Sequence, residues 1–388
     1  MCIWFSLDMV SNALDKQDVK AIQVLQALEL SLKKGKHLIF AKRDVLEYIK
    51  ERSRAQYPTL CGLLDRYAEI AAYALAMPWH AQLVIDRPSF RDEANRILYI
   101  NIYEATKLEL IEETHLIGEH LKDIDCIKHI GAFYARTHKL GTQYLFYPLL
   151  GGGSVTFFVY ENEIKLGKTF VLCITDSDRK YPDGPLGDTG KNVAGIDRRY
   201  QFPALTYQYQ MKNVLEMENL IPCKVIQKYV VDSSDEEMTK RLAVLEKLRE
   251  KKPESSDYFD YKTGITKTPP TDQKLADYQI DVARSISPDI ADEMREDEAR
   301  FKEQYRHMME HKIAKDANEA DKIIKYIQKK TTYIPGLGEK LLECVLKNCE
   351  KELANIQETD LSATQQKEYE QIGELVCSWT CCLAPSYS

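Results

Sequence analysis

Residues 170–175 read FVLCIT, an unbroken apolar run, and Asp176-Ser177-Asp178 follows at once. Continuous apolar character over so few residues is the mark of a strand buried on both faces, as in a parallel sheet covered by helices. In open α/β sheets, ligands gather at the carboxyl ends of the parallel strands, so this run delivers two carboxylates to the functional end. Alternate residues of an extended chain project to one side, and Asp176 and Asp178 are therefore expected to share a hard divalent cation such as Mg²⁺. The competing reading of an isolated D-x-D after a strand is a plain Asx turn. Only the surrounding segments separate the two.

A chain of 388 residues has room for two to three domains. With 44% hydrophobic and 29% charged residues it is globular in composition, which excludes a disordered or fibrous chain. Lys+Arg 53 against Asp+Glu 60 gives a net charge of −7, so any polyanion must be met by local patches rather than by a basic coat. The opening residues MCIWFSLD carry no basic segment ahead of an apolar one and do not read as a secretory signal. The most apolar helical stretch, 70–77, is too short to span a bilayer. Ten cysteines are scattered without a compact framework, and Cys377, Cys381 and Cys382 lack the second nearby pair of a structural zinc site. These features predict a cytoplasmic protein with reduced thiols and no membrane partner.

Composition divides the chain into three regions. Over 1–103, short apolar runs at 3–6, 38–40, 83–85 and 97–102 alternate with helical patterns at 43–52 and 60–76, which predicts an N-terminal α/β domain. Over 104–232, strands are predicted at 107–112, 144–147, 170–175 and 224–231, with a helix over 115–138 crossing back above the sheet as in a βαβ unit. From 233 to 388 the strand signal ends, and helices over 289–314, 317–330, 337–356 and 363–381 are broken by a loop-like segment at 252–271.

Within 104–232 the order is LELIEE (108–113), a long helix bearing Glu119 and Asp123, the strand and glycine turn YLFYPLLGGGS, the D-x-D strand, and then ENLIP at 218–222. This order resembles the TOPRIM domain, the Mg²⁺-binding fold shared by topoisomerases, primases and several nucleases. The E-x-E-N-L-I-P stretch resembles the segment that follows D-x-D in TOPRIM-like nucleases of prokaryotic anti-phage systems. The resemblance implies an α/β fold with a TOPRIM-like central domain, and a metal site made of a strand-end Glu and the D-x-D acids. Carried onto this chain, Glu112, Asp176 and Asp178 become the catalytic metal ligands. Glu112 directly follows Leu110-Ile111 as the motif expects and is preferred over Glu113 and Glu119, although Glu113 stands where the family has a small residue. Clustered acids suit phosphodiester cleavage because bound metal ions neutralise phosphate charge and stabilise the attacking and leaving oxygens. Gly151, Gly152 and Gly153 allow the backbone to approach a phosphate or the metal shell, or else form a plain turn. Glu218 and Asn219 either join the acids or hold the backbone.

The expected activity is Mg²⁺-dependent cleavage of DNA or RNA, with Mn²⁺ as an alternative metal, by a regulated defence effector. Apolar faces on several C-terminal helices predict a homo-oligomer or docking to a regulatory partner. Two other readings stand beside it. Arg306 and His311 fit the R-[NDH]-x3-H pattern of HEPN ribonucleases, which work without metal, and a non-catalytic nucleic-acid or partner-binding module needs neither site. In the N-terminal region Asp8 follows an apolar strand pattern in the manner of a PIN-type nuclease, with Asp44, Glu47 and Asp86 as further acids. Gly184 to Gly190 encloses five residues and Asn192 follows Lys191, which excludes a Walker phosphate loop. Basic residues at 240–252 and 312–330 are either nucleic-acid contacts or self-paired helix faces.

Overall fold

The computed structural model describes residues 1–267, 270, 272–311, 313 and 331–384. Two compact units are formed, one from 1–176, 188–210 and 368–388 and the other from 177–187 and 211–367. The division therefore does not follow three consecutive regions. The expected N-terminal and central sheets lie in one unit, and the last helix joins them.

The first unit holds two larger sheets and a two-stranded pair. One contains β1 (Cys2–Trp4), β2 (Leu38–Phe40), β3 (His80–Val84), β4 (Phe90–Asp92) and β5 (Ile97–Asn101), in the order β2-β1-β3-β5-β4. Its pairings are parallel except that of β4 with β5. After β6 (Thr114–Gly118) and the short β7 (Gln143–Tyr144) come β8 (Phe146–Leu150), β9 (Val171–Thr175) and β10 (Thr206–Gln210). These give a wholly parallel second sheet, β10-β9-β6-β8. Every residue of β9 is buried, as its unbroken apolar sequence requires of a strand flanked on both sides. Ile117, Tyr160, Val171, Cys173, Val193 and Ile196 form one core around this sheet. Trp379, fully buried on the helix Ala363–Thr380, meets Trp79, Phe170 and Tyr207.

Two strand expectations are corrected. Residues 107–112 are turns, with the Glu109 N–H donating to Lys168 O (2.6 Å), and the strand is the later THLIG of β6. The helix expected from residue 115 starts at Leu121. Residues 224–231 belong to the helix Cys223–Ser233, whose Val225, Ile226 and Val230 are buried at helical spacing. In the same N-terminal stretch Asp8, Asp44, Glu47 and Asp86 are all exposed, and Glu47 and Asp86 pair with the neighbouring Arg43 and Arg87.

The second unit is mainly helical. Helices Glu236–Lys251, Gln273–Ile286 and Pro288–Glu310 accompany an antiparallel pair, β11 (Gly264–Thr266) with β12 (Thr332–Pro335). That pair corrects the expectation of an all-helical C-terminal region, as does β13 (Cys381–Cys382), which pairs with β7 in the first unit. The expected helix over 317–330 and most of the basic run 312–330 lie outside the described residues. Within 240–252, Arg241 pairs with Glu237, Lys252 with Asp281, the half-buried Arg249 donates to the Tyr261 hydroxyl (2.6 Å), and Lys247 donates to Ile286 O (2.6 Å). These four cations are engaged by partners of the chain itself. No helix among the described residues is long and apolar enough to cross a membrane.

Candidate active site at the carboxyl ends of the parallel strands

In the order β10-β9-β6-β8, the chain passes from β6 to β8 on one side and then returns to β9 on the other. The order in which strands are added reverses between β6 and β9, the place where open α/β sheets leave a crevice for ligands. Glu119 directly follows β6, and Asp176 directly follows β9. A Glu119 carboxylate oxygen accepts the Asp176 N–H at 3.1 Å, which holds the Glu119 side chain against the Asp176 backbone. Gln210, at the end of β10, donates to Asp176 O at 3.2 Å.

The glycine turn completes this edge. Gly151 donates its N–H to Gly118 O (2.8 Å), while Gly152 and Gly153 donate theirs to Glu119 O (3.0 and 3.3 Å). A side chain on Gly151 would come within 2.8 Å of Gly118 O, and Gly152 has φ +82°, so glycine is needed at both. This corrects the expectation that the turn cradles a phosphate: its amides are used to hold the backbone of Gly118 and Glu119.

Glu112 is also corrected as the strand-end acid. It lies in the turn ahead of β6, its N–H bonded to Glu109 O at 3.1 Å. Because β6 and β9 are parallel, with His115 opposite Val171, the amino end of β6 is remote from Asp176. Five residue steps separate Thr114 from Glu119, about 16 Å of strand. Glu113 is an ion-pair partner of Lys36. Of the three glutamates, only Glu119 reaches the end where Asp176 stands.

Asp178 belongs to the other unit and has φ +51°, so the alternation of an extended chain does not extend to it. Its N–H donates to Leu215 O (3.0 Å), and the Ser177 hydroxyl is bonded to the carbonyls of Val214 and Leu215. Gly187 packs so closely on the Asp178 carboxylate that a Cβ there would lie 2.1 Å from Oδ2. Asp188 is exposed and pairs with Lys191 at 3.7 Å.

Among the described residues, no three carboxylate, imidazole or thiol groups converge as a metal cage. Glu119 and Asp176 are the carboxylates that stand at the carboxyl ends of the neighbouring strands β6 and β9. Arg306 and His311 are both exposed at the end of the helix Pro288–Glu310, and the His311 ring lies 4.3 Å from that of His307.

A second acidic group, not anticipated as a titrating pair, lies in the other unit. Lys262 pairs with Glu216 at 2.7 Å and Glu218 at 3.2 Å. Burial and then the Glu218 charge push the Glu216 carboxyl up to about 7, against the pull of Lys262. Asn219 is structural: its side chain donates to Ser256 O (3.0 Å) and Phe259 O (2.9 Å). The sequence signal was the second acid of E-x-E beside an apolar segment. A carboxyl raised by folding binds its proton more tightly in the native state, so it removes stability as pH rises from the unfolded value through about 7. Glu216→Gln should therefore gain about 2 kcal/mol relative to the parent between pH 5 and pH 8, measured by urea unfolding at both pH values. A gap that does not change with pH would contradict this.

Compared with known proteins, the chain matches no family model, no curated protein and no solved structure.

Proposed function

We propose that this protein is a Mg²⁺-dependent nuclease hydrolysing phosphodiester bonds of DNA or RNA, with Glu119 and Asp176 as its paired strand-end acids. The observation that carries the reading is the hydrogen bond from the Asp176 amide to the Glu119 carboxylate at the reversal point of a parallel sheet. It is joined by the TOPRIM-like order of strand, helix, glycine turn and D-x-D strand. Glu119 and Asp176 would hold the metal, which when bound supplies charge neutralisation at the phosphate and an acidified water. The chain's own contribution is placement. The amides of Gly152 and Gly153 fix the Glu119 backbone and that of Gly151 the Gly118 carbonyl before it, the Asp176 N–H orients the Glu119 carboxylate, and Gln210 restrains the Asp176 carbonyl.

Asp178 enters the proposal through the D-x-D resemblance alone. The same holds for a role in prokaryotic antiviral defence, for activation by a regulatory partner and for self-association. The test is cleavage of single- and double-stranded DNA and RNA with Mg²⁺ or Mn²⁺, alone and with EDTA. Cleavage abolished by EDTA and restored by excess Mg²⁺ is the expected result. Full activity in EDTA would replace this reading with the metal-free ribonuclease of Arg306 and His311, and binding without turnover under every metal would leave a non-catalytic module.

A further inference from the structure

The R-[NDH]-x3-H pattern at 306–311 uses only Arg306 and His311, yet its variable position is filled by a second imidazole, His307. The two histidines stand four residues apart at the carboxyl end of the helix Pro288–Glu310. The His311 N–H donates to His307 O at 3.0 Å, so the helical turn closes through both residues. Side chains at i and i+4 lie one above the other on a single helix face. Both residues are exposed, and their ring centroids are 4.3 Å apart at an interplanar angle of 48°. Among the described residues neither ring is held by a hydrogen bond or an ion pair. Two unengaged imidazoles at this spacing on one helix face are the chelating unit of helical zinc sites.

The donors select the class of cation. Neutral imidazole is a borderline ligand that suits Zn²⁺, Ni²⁺ and Cu²⁺, whereas Mg²⁺ keeps to oxygen. A Zn–N bond is about 2.1 Å, so two nitrogens on one ion stand about 3 Å apart. Side-chain rotation brings rings 4.3 Å apart to that separation. No third carboxylate, imidazole or thiol group converges on the pair among the described residues, which leaves the other positions to water. The last turn of a 23-residue helix also presents unpaired carbonyls and the negative end of the macrodipole, which favour a cation. Glu303 and Glu310 match Arg306 and Lys312 in number, so the formal charge of this stretch does not oppose one. We propose that His307 and His311 form a two-histidine clamp for a borderline divalent ion, Zn²⁺, Ni²⁺ or Cu²⁺. The clamp lies in the second unit, whereas Glu119 and Asp176 lie in the first, and it stands independently of the nuclease reading. Loading also takes His311 out of the metal-free ribonuclease reading.

The experiment is calorimetric titration of the full chain with Zn²⁺ in excess Mg²⁺, comparing the parent with His307→Ala and His311→Ala. The half-buried thiols of Cys223 and Cys344 are common to all three, so the clamp is read from the difference. One sub-millimolar site is expected in the parent, weakened at least tenfold in each variant, with Cu²⁺ bound more tightly than Zn²⁺. Both positions are exposed, so the variants should keep the parent's circular dichroism. A second measurement needs no variant: Cu²⁺ added below one equivalent should give the parent an electron paramagnetic resonance spectrum coupled to two imidazole nitrogens. Unchanged Zn²⁺ affinity in either variant, loss of the parent's site in excess Mg²⁺, or a Cu²⁺ spectrum without two-nitrogen coupling would overturn the assignment. Nuclease activity is not a readout here, so failure of this proposal and failure of the nuclease reading are distinguishable.

Discussion

Glu119→Gln is expected to lower the cleavage rate by about three orders of magnitude, roughly 4 kcal/mol of transition-state stabilisation, without loss of fold. The glutamine carbonyl can still accept the Asp176 N–H that Glu119 now accepts at 3.1 Å, so the strand ends keep their arrangement and only the charge is removed. Asp176→Asn should fall similarly, since the two acids stand at neighbouring strand ends. Glu112→Gln, at the opposite end of β6, should stay within about twofold of the parent, as expected of an exposed surface change. His311→Ala should also retain activity. Measurement is by single-turnover cleavage in Mg²⁺, with circular dichroism as the control for folding. A dead Glu112→Gln or His311→Ala beside an active Glu119→Gln would remove the site from the carboxyl ends of β6 and β9.

The strand most legible in the sequence was β9, because a strand covered on both faces needs apolar residues at every position and leaves an unbroken run. Its neighbour β6 was read out of place. Lys107 to Glu112 alternates charged and apolar residues as a half-exposed strand does, yet it forms turns, while THLIG is short and leads straight into a helix. That displacement moved the strand-end acid from Glu119 to Glu112. The alternation rule failed again at Asp178, three residues beyond β9, where φ is +51°. Lys224 to Val231 was legible only as apolar and β-branched. Helix and strand compete for such segments, and tertiary burial of Val225, Ile226 and Val230 on one helical face decided it. The Glu216–Lys262 contact joins residues far apart in the chain, beyond the reach of any local pattern.

The same non-local logic gives the largest expected stability effect. Arg91 on β4 of the first sheet and Asp197 in the helix Asp188–Arg199 are each only 2% exposed, and their contact is bidentate, at 2.6 and 3.3 Å. Asp197 also accepts the Tyr160 hydroxyl at 2.9 Å, while Arg91 donates to Thr206 O at 2.6 Å and so ties β4 to β10. Removing Asp197 leaves the buried guanidinium with only the exposed Glu93 carboxylate, 2.8 Å away, as counter-charge, so the loss is expected near the lower end of the about 3–5 kcal/mol of comparable pairs. Asp197→Ala should therefore lower the melting temperature by roughly 10 °C. Replacing both partners, Arg91→Met with Asp197→Leu, should recover much of that loss, because an apolar pair carries no desolvation penalty. Neither residue belongs to the proposed metal site, so cleavage by Asp197→Ala well below its transition should remain within severalfold of the parent. A single variant as stable as the parent would show that the pair is not the tie between β4 and β10. A stable but inactive one would place Asp197 in the catalytic machinery rather than in the frame that holds β9 and β10 together.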